Sequence, residues 1–493
     1  MKDKTIIKAF ILALGQIGSK IISLIFIYNF SRDLGRDGMS LYAFSYVPFS
    51  IFADLSSFGL IPGTSKLVSR LIGDQDYAKV NYLLRKGILI SIVIGVCFFL
   101  FMLFFNKQIL SISLFDGINE ATFSEVRVNL LLASISLFVI PINNFMRGFL
   151  QGQFKMYPSC ISLILEQVVK VIIYLIMKRL FDYDLIKSVF IIYIFGYLSS
   201  FIVLMSFSLG NFKGKREKFN CISVLLKSSI PFGIATMFFT IYQFIDSMTL
   251  PVLLPKEGYY TAYMYETIRL IFFPIVIAQA LGGALNPKIN LLYKENKIED
   301  AKNVAIRCSN LIITILVPLT IAMMLFSNKI YNIFYQQENG GRILYQMSGL
   351  IMFFGVYKVL IGISLGLPKG HFIIIATIIS AVAKYILNLF LIRRFEYIGA
   401  IYATIIAVSI CILVAYYVLF KEGINIFFNN IRSLIGAFVS GIISVFLVSI
   451  FMVCFSLNRY PVVVGLFLYS NLLFGIYYIF LKIIKQIRVR VIL

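Results

Sequence analysis

Five basic residues, Lys20, Lys170, Arg269, Lys358 and Lys384, stand inside long apolar runs that read as membrane-spanning helices. A cation at mid-bilayer costs roughly 2.5–3.5 kcal/mol on insertion scales, so such residues mark a polar interior rather than a lipid-facing surface. Ammonium and guanidinium groups gathered in a partly dry space suit phosphate or pyrophosphate, lysine as a point charge and arginine as a planar fork of donors. Carboxylates occur in the same runs: Asp54, Glu166, Asp246 and Glu266. Glu166 precedes Lys170 by four residues and Glu266 precedes Arg269 by three, spacings at which an intrahelical ion pair makes insertion tolerable. Lys20, Lys358 and Lys384 have no acidic residue within one turn on their own run, which ranks them higher as ligands for an anion. Asp54 lies near the end of its run, where hydration is expected. Polar residues at helical spacing extend the set: Gln16, Lys20 and Ser23; Tyr42, Tyr46, Ser50 and Asp54; Thr236, Thr240, Gln243 and Asp246; Tyr259, Tyr263, Glu266 and Arg269. These stripes are expected to converge on one internal space.

The elements that must position these groups are helices. The chain of 493 residues is 60% hydrophobic and 14% charged, and its apolar runs are each long enough to cross a hydrocarbon core about 30 Å thick. The prediction is an all-α polytopic membrane protein of about fourteen spans. They are placed at 6–30, 40–61, 87–106, 127–146, 158–177, 188–210, 229–251, 259–285, 308–326, 343–365, 371–392, 397–420, 432–455 and 461–481. The first run contains Lys20 and lacks a small-residue cleavage site, so it reads as a retained span rather than a signal peptide. With the amino terminus inside, the inner segments hold roughly twice as many Lys and Arg as the outer ones, which favours both termini in the cytoplasm. The formal charge of +23 therefore serves topology and contact with anionic lipid headgroups. Nucleic acid is not an expected partner, because no inter-span segment is long enough to be a basic soluble module.

Other chemistries are poorly served. The six cysteines have no paired spacing, and His371 is the only histidine, so neither a metal centre nor a catalytic triad is expected. No Gly-x-x-x-x-Gly-Lys phosphate-binding loop occurs, and no cofactor is expected. The expected energy source is the membrane potential or a monovalent cation.

An internal repeat organises the chain. Pro62, Ala78-Lys79 and Arg85 recur as Pro287, Ala301-Lys302 and Arg307, and the stretch around Lys170 recurs around Lys384 at an offset of about 214 residues. Two parallel six-helix bundles related by a pseudo-twofold axis, 1–212 and 213–421, are expected, with two further spans in 422–493.

Met146-Arg147-Gly148-Phe149-Leu150-Gln151-Gly152, Met156-Tyr157-Pro158 and Glu166-Gln167-Val168-Val169-Lys170, together with Gly59-Leu60-Ile61-Pro62 and Ser65-Lys66-Leu67-Val68, carry a family likeness. They resemble the signature of the lipid II flippase and stage V sporulation protein B-like branch of the polysaccharide-exporter (MOP) superfamily. The resemblance implies a transporter that turns a polyprenyl-pyrophosphate-linked oligosaccharide from the inner to the outer leaflet of the bacterial cytoplasmic membrane. It also implies a cationic cavity between two bundles and a groove for the lipid tail in the last two spans. By position it assigns Lys20 and Arg269 to family arginines of the first and eighth spans, and Arg147 joins the candidate head-group ligands. The chain departs from the pattern at Ile27, where a second first-span arginine is usual, and at Lys20, where lysine lacks the arginine fork. Lipid II is the first expectation for the cargo; a capsule, teichoic acid or other surface-polymer unit on the same carrier is the alternative. Cell-wall synthesis proteins are further candidate partners.

Three competing readings are separable. A cation-coupled drug exporter would be dominated by intramembrane acids. A membrane-embedded glycosyl transferase or polymerase would carry a larger outer loop with clustered carboxylates. A non-transporting scaffold would tolerate loss of the intramembrane cations.

Overall fold

The computed structural model describes residues 2–113, 119–180, 185–212, 217–218, 220–254, 257–337, 340–365 and 367–454. Every regular element among them is helical. The first seven helices are α1 (Lys2–Ser56), α2 (Leu60–Gly73), α3 (Tyr77–Ser113), α4 (Glu120–Ser134), α5 (Ile140–Gly152), α6 (Met156–Leu180) and α7 (Leu185–Phe212). Then come α8 (Cys221–Thr236), α9 (Phe238–Leu253), α10 (Glu257–Thr261), a π-helical turn (Ala262–Thr267) and α11 (Ile268–Lys294). The remainder are α12 (Ile298–Leu325), α13 (Ser327–Tyr335), α14 (Gly340–Met347), α15 (Leu350–Ser364), α16 (His371–Phe395), α17 (Tyr397–Lys421) and α18 (Phe427–Cys454).

The predicted spans before the last fall largely on helix, although 40–61 passes through the turn between α1 and α2 and 127–146 is interrupted by a 3-10 turn at Ile135–Phe138; the segment 461–481 lies outside the described residues. Nine helices among the described residues are long and apolar enough to cross a membrane, or up to eleven if the bent pairs α8–α9 (59°) and α14–α15 (41°) are each one span. The first two predicted spans share α1, which is broken at Gly35 (φ 66, ψ −168). That backbone conformation suits a residue without a Cβ. Long helices carry exposed apolar side chains, among them Phe104 at 71%, Phe390 at 70% and Phe428 at 74%. Such surfaces suit contact with acyl chains, where each backbone donor and acceptor must be satisfied within its own helix.

The chain forms two compact units. The first comprises 1–269, 334–336 and 373–407; the second comprises 270–333, 337–372 and 408–493. These units group residues by contact and are not the repeat halves 1–212 and 213–421 expected from sequence symmetry.

In the first unit the two motifs that carried the family likeness pack on each other. α2 starts from Gly59, whose left-handed backbone (φ 61) turns the chain out of α1. Its buried face, Leu60, Thr64, Leu67, Val68 and Leu71, follows the i, i+3, i+4 pattern of an amphipathic helix. That face meets α5, where Gly148 and Gly152 stand one turn apart. A Cβ at Gly148 would lie 2.6 Å from the Ile61 carbonyl oxygen, and one at Gly152 would lie 2.7 Å from that of Ser65. Small residues at this spacing let two backbones approach closely, the packing mode that membrane helices favour. Leu67, Val68, Leu71, Phe145, Met146, Phe149 and Leu150 then fill the core beside Leu83, Leu84, Leu204 and Leu225. Gly148→Leu is expected to force the helices apart and cost about 1–3 kcal/mol. Thermal unfolding of the purified protein measures it, and an unchanged midpoint would show that the contact is dispensable.

The second unit is built on α12, with α15 and α18 against it. Gly355 admits Leu316, and Gly441 admits Ile321. Ser309 donates to Asn430 Oδ1 at 2.7 Å, and Asn430 donates to the Tyr416 hydroxyl at 2.8 Å, which gives these three side chains partners in that seam. Glu422 accepts from Tyr293 and stands 3.9 Å from Lys369.

Candidate functional site

A cavity of about 300 Å³ opens inside the first unit. α1 supplies Ser19, Lys20, Ser23, Ala53 and Asp54; α5 supplies Ile140, Asn143, Asn144 and Arg147; α6 supplies Leu163, Glu166 and Gln167; α7 supplies Tyr197. The space holds on the order of ten waters and stands at the small end of ligand pockets, roughly 300–1,000 Å³. Its lining combines charged groups with neutral amides and hydroxyls, a surface suited to an anionic, hydroxylated head.

Two kinds of charge border it. Arg147, Glu166 and Lys170 are locked together. Arg147 donates to Glu166 Oε2 at 2.8 Å, to Ser200 at 2.9 Å and to Ser162 at 3.2 Å. Lys170 donates to Glu166 Oε1 at 2.8 Å, so the intrahelical pair expected from the i, i+4 spacing is present. Its ammonium also stands 4.5 Å from the Tyr193 ring and 4.4 Å from that of Tyr197. Gly196 makes room for it, since a Cβ there would meet Lys170 Cε at 2.6 Å. Two cations share one carboxylate, which leaves a surplus positive charge behind the cavity wall. Glu166→Gln would leave both buried cations without their counter-ion, and breaking a buried ionic arrangement this way costs about 3–5 kcal/mol. A large drop in unfolding temperature and in the yield of folded protein is expected; wild-type stability would rule the triad out as a structural clamp.

Lys20 behaves differently. Its side chain borders the open space and, among the described residues, makes no hydrogen bond or ion pair. Arg269 and Lys170 oppose its charge, and Asp54 and Glu166 favour it. Asp54 also faces the cavity; it accepts from Thr240 at 2.8 Å, which ties α1 to α9. Two of the expected polar stripes, those of the second and seventh predicted spans, therefore do meet.

Arg269 is caged by tyrosines. Its guanidinium stands 4.5 Å from the Tyr46 ring and 4.2 Å from the Tyr265 ring. Tyr42 and Tyr193, hydroxyl to hydroxyl at 3.0 Å, continue the cluster. Desolvated cation–π contacts reach about 2 kcal/mol each, enough together to offset most of the roughly 2.5–3.5 kcal/mol that a mid-membrane cation costs. Between Glu266 and Arg269 the wider π turn ending at Thr267 departs from the 3.6-residue register on which their intrahelical spacing was judged. That register change also splits the expected stripe, sending Tyr263 to Asp246 and Arg269 to Tyr46.

Lys384 corrects the sequence ranking. Its ammonium lies 2.7 Å from Asp246 Oδ1 and 2.6 Å from Thr404 Oγ1, and its side chain is 0% exposed. Asn388 donates to Asp246 and to Thr249 at 2.8 Å each, and Tyr263 donates to Asp246 at 3.3 Å. The acid absent from its own helix is supplied by α9, a pairing no local spacing reveals. Ser380, which the repeat aligns with Glu166, instead accepts from Tyr242 at 2.7 Å. Lys358, on α15, belongs to the second unit and is half-buried.

Thus Lys20, Asp54, Arg147 and Glu166 line the cavity, Lys170 backs it, Arg269 and Glu266 stand near Tyr265 and Tyr335, and Lys384 and Asp246 form a separate buried pair. Asn143, Asn144, Gln167 and Tyr197 were not anticipated. Their signal was the adjacency of Asn143 and Asn144 to Arg147, and of Gln167 to Glu166.

Fold and site together define a polytopic, all-α membrane protein with a charged cavity among its helices. The chain belongs to the polysaccharide biosynthesis protein family, whose model matches residues 6–287. It is similar to the lipid II flippase MurJ of Bacillus subtilis (strain 168), 25% identical over 443 residues, covering 82% of this chain and 80% of that one. Among solved structures it resembles a lipid II flippase MurJ in an inward closed conformation, with TM-score 0.67 and 14% identity over 97% of this chain and 100% of that one. It also resembles an outward-facing multidrug resistance MATE family transporter of the MOP superfamily, with TM-score 0.66 and 14% identity over 87% and 96% of the two chains.

Proposed function

We propose that this protein is a flippase that turns a polyprenyl-pyrophosphate-linked oligosaccharide from the inner to the outer leaflet of the bacterial cytoplasmic membrane. The observation that carries the reading is Lys20: an intramembrane ammonium without an ion-pair partner among the described residues, at the edge of a cavity lined with amides, hydroxyls and a locked Arg147. An ammonium so placed is matched to a phosphate oxygen, and the neutral polar groups to sugar hydroxyls. The lipid II head group, for cell-wall peptidoglycan synthesis, is the first candidate cargo, given the relative that bears that name. A capsule or teichoic acid unit on the same carrier is the second.

The mechanism is alternating access with both termini in the cytoplasm, the head in the cavity and the polyprenyl tail in the bilayer. The protein moves its cargo without altering bonds, so it acts as a transporter rather than an enzyme. Anion binding at Lys20 relieves its repulsion with Arg269 and Lys170, which favours states that bring these groups closer. A negative-inside potential adds about 2.3 kcal/mol per 100 mV for each net negative charge exported; a monovalent cation is the alternative drive.

The test is reconstitution into vesicles with undecaprenyl-pyrophosphate glycans placed in one leaflet. Protein-dependent appearance of the glycan on the opposite leaflet is expected. Absence of movement for every glycan, with folded protein in the vesicles, would remove the proposal.

A further inference from the structure

α2 and α8 come from the two halves of the sequence repeat, and they pack on each other at the side expected to face the cytoplasm. Their contact is a seam of small residues. A Cβ at Gly59 would lie 2.1 Å from the Ser229 carbonyl oxygen, one at Gly63 would lie 2.3 Å from Ser229 Oγ, and one at Gly233 would meet the Phe58 ring at 2.5 Å. The Ser229 hydroxyl is thus pressed against α2, in a residue 3% exposed, and it has no hydrogen-bond partner among the described residues. A permanent seam gains nothing from such a group, because a buried donor left unmade carries its full desolvation cost. Water admitted between the helices would remove that cost.

The seam also abuts the cavity. Asn144, on the cavity wall, donates to Ser57 Oγ at 2.6 Å, two residues before Gly59, and Thr240, four residues beyond the end of α8, donates to Asp54. α8 is joined to α9 at Met237 through a 59° break, while α9 is anchored to α16 by Tyr242 on Ser380 and by Asp246 on Lys384. A short helix on a break beside an anchored one has the form of a hinged element. The opposite side of the same unit is closed differently. There the halves meet through rings, Phe44 on Tyr260 at 5.5 Å and Tyr42 and Tyr46 on Tyr265 at 5.2 and 5.4 Å, with Arg269 against Tyr46. Tyr265 also buries a hydroxyl without a hydrogen bond, but aromatic side chains bury about 150–250 Å² each, and glycines offer no such area.

We infer that the α2–α8 seam is the inner gate of the cavity: α8 swings about Met237, the seam parts at Gly59, Gly63 and Ser229, and the aromatic side stays shut meanwhile. The inference rests on the alternating-access reading above and names the contact that regulates entry to its site.

The experiment uses the full-length chain with its native cysteines replaced and a single reporter, Ser23→Cys, on the cavity wall. A membrane-impermeant maleimide is applied to the inner face of inside-out vesicles or to the outer face of intact cells. Labelling from the inner face is expected. Ser229→Ala is expected to slow it about tenfold, the shift that follows when a closed seam no longer buries an unpartnered hydroxyl, without lowering the unfolding temperature. Gly63→Ala, whose Cβ props the helices apart, is expected to speed it. Labelling from the outer face alone, or a rate that neither folded variant changes, would overturn the inference. The two readings fail separately. If a polyprenyl-pyrophosphate glycan crosses the vesicle bilayer while labelling ignores both variants, the flippase reading stands and the gate falls; if labelling follows the variants while no glycan crosses, the gate stands and the flippase reading falls.

Discussion

Lys384→Met alone is expected to destabilise the folded protein by about 3–5 kcal/mol, and Lys384→Met combined with Asp246→Asn to recover most of that loss. The reason is the position of the pair. Both side chains are buried, at 0% and 7% exposure, and 2.7 Å apart. Removing the ammonium leaves the Asp246 carboxylate with neutral donors only, Asn388 at 2.8 Å and Tyr263 at 3.3 Å. Neutral hydrogen bonds contribute about 0.5–1.5 kcal/mol each, too little to hold an unpaired charge in so dry a place. Neutralising Asp246 as well removes that charge while keeping an acceptor for Asn388. Unfolding temperature and detergent stability of the single and double variants measure this. Equal loss in both would mean that packing of the lysine stem, rather than charge pairing, accounts for the effect.

The same pair shows where sequence reasoning stopped. Lys170 and Glu166 share a helix, so the i, i+4 spacing announces their bond. Lys384 was ranked as a ligand because its own helix offers no acid, and the partner arrives from α9. Helical periodicity reports neighbours along one helix and says nothing about which helices pack. The repeat could have supplied part of the answer: with Ser380 at the position of Glu166, a lysine retained in the second copy needed its counter-charge from elsewhere. The spans themselves were legible, because twenty apolar residues have few alternatives in lipid. The break at Gly35 and the π turn before Arg269 were not, since they are local backbone choices that hydropathy does not encode.

The glycines of the family motifs make the opposite case. Gly148 and Gly152 could be quoted as a signature without knowing their purpose, and their contact with the Ile61 and Ser65 carbonyls gives it. That contact seats α5 so that Arg147 reaches Glu166, Ser162 and Ser200 at the cavity wall. The signature therefore encodes a scaffold that aims charge, and its tolerance to substitution should follow packing on α2 more closely than head-group chemistry.

Lys20→Ala is expected to leave stability within about 0.5 kcal/mol of wild type while reducing head-group binding and leaflet transfer by about 10- to 100-fold. The stability expectation follows from what Lys20 lacks: it makes no hydrogen bond or ion pair among the described residues, and the repulsion from Arg269 and Lys170 that its loss relieves stands against the attraction to Asp54 and Glu166 that it gives up. The transfer expectation follows from the strength of a charge-assisted bond to phosphate, about 1.5–3 kcal/mol, which corresponds to roughly one to two orders of magnitude in affinity. Lys20→Arg should retain activity, because a guanidinium fork matches a phosphate at least as well as a point charge. This pattern is the reverse of that expected for Lys384, where stability falls first and transport falls as a consequence. Measuring unfolding and leaflet transfer on the same preparations separates the two. Wild-type transfer by well-folded Lys20→Ala would place anion recognition outside the cavity and return Lys20 to the role of a tolerated interior charge.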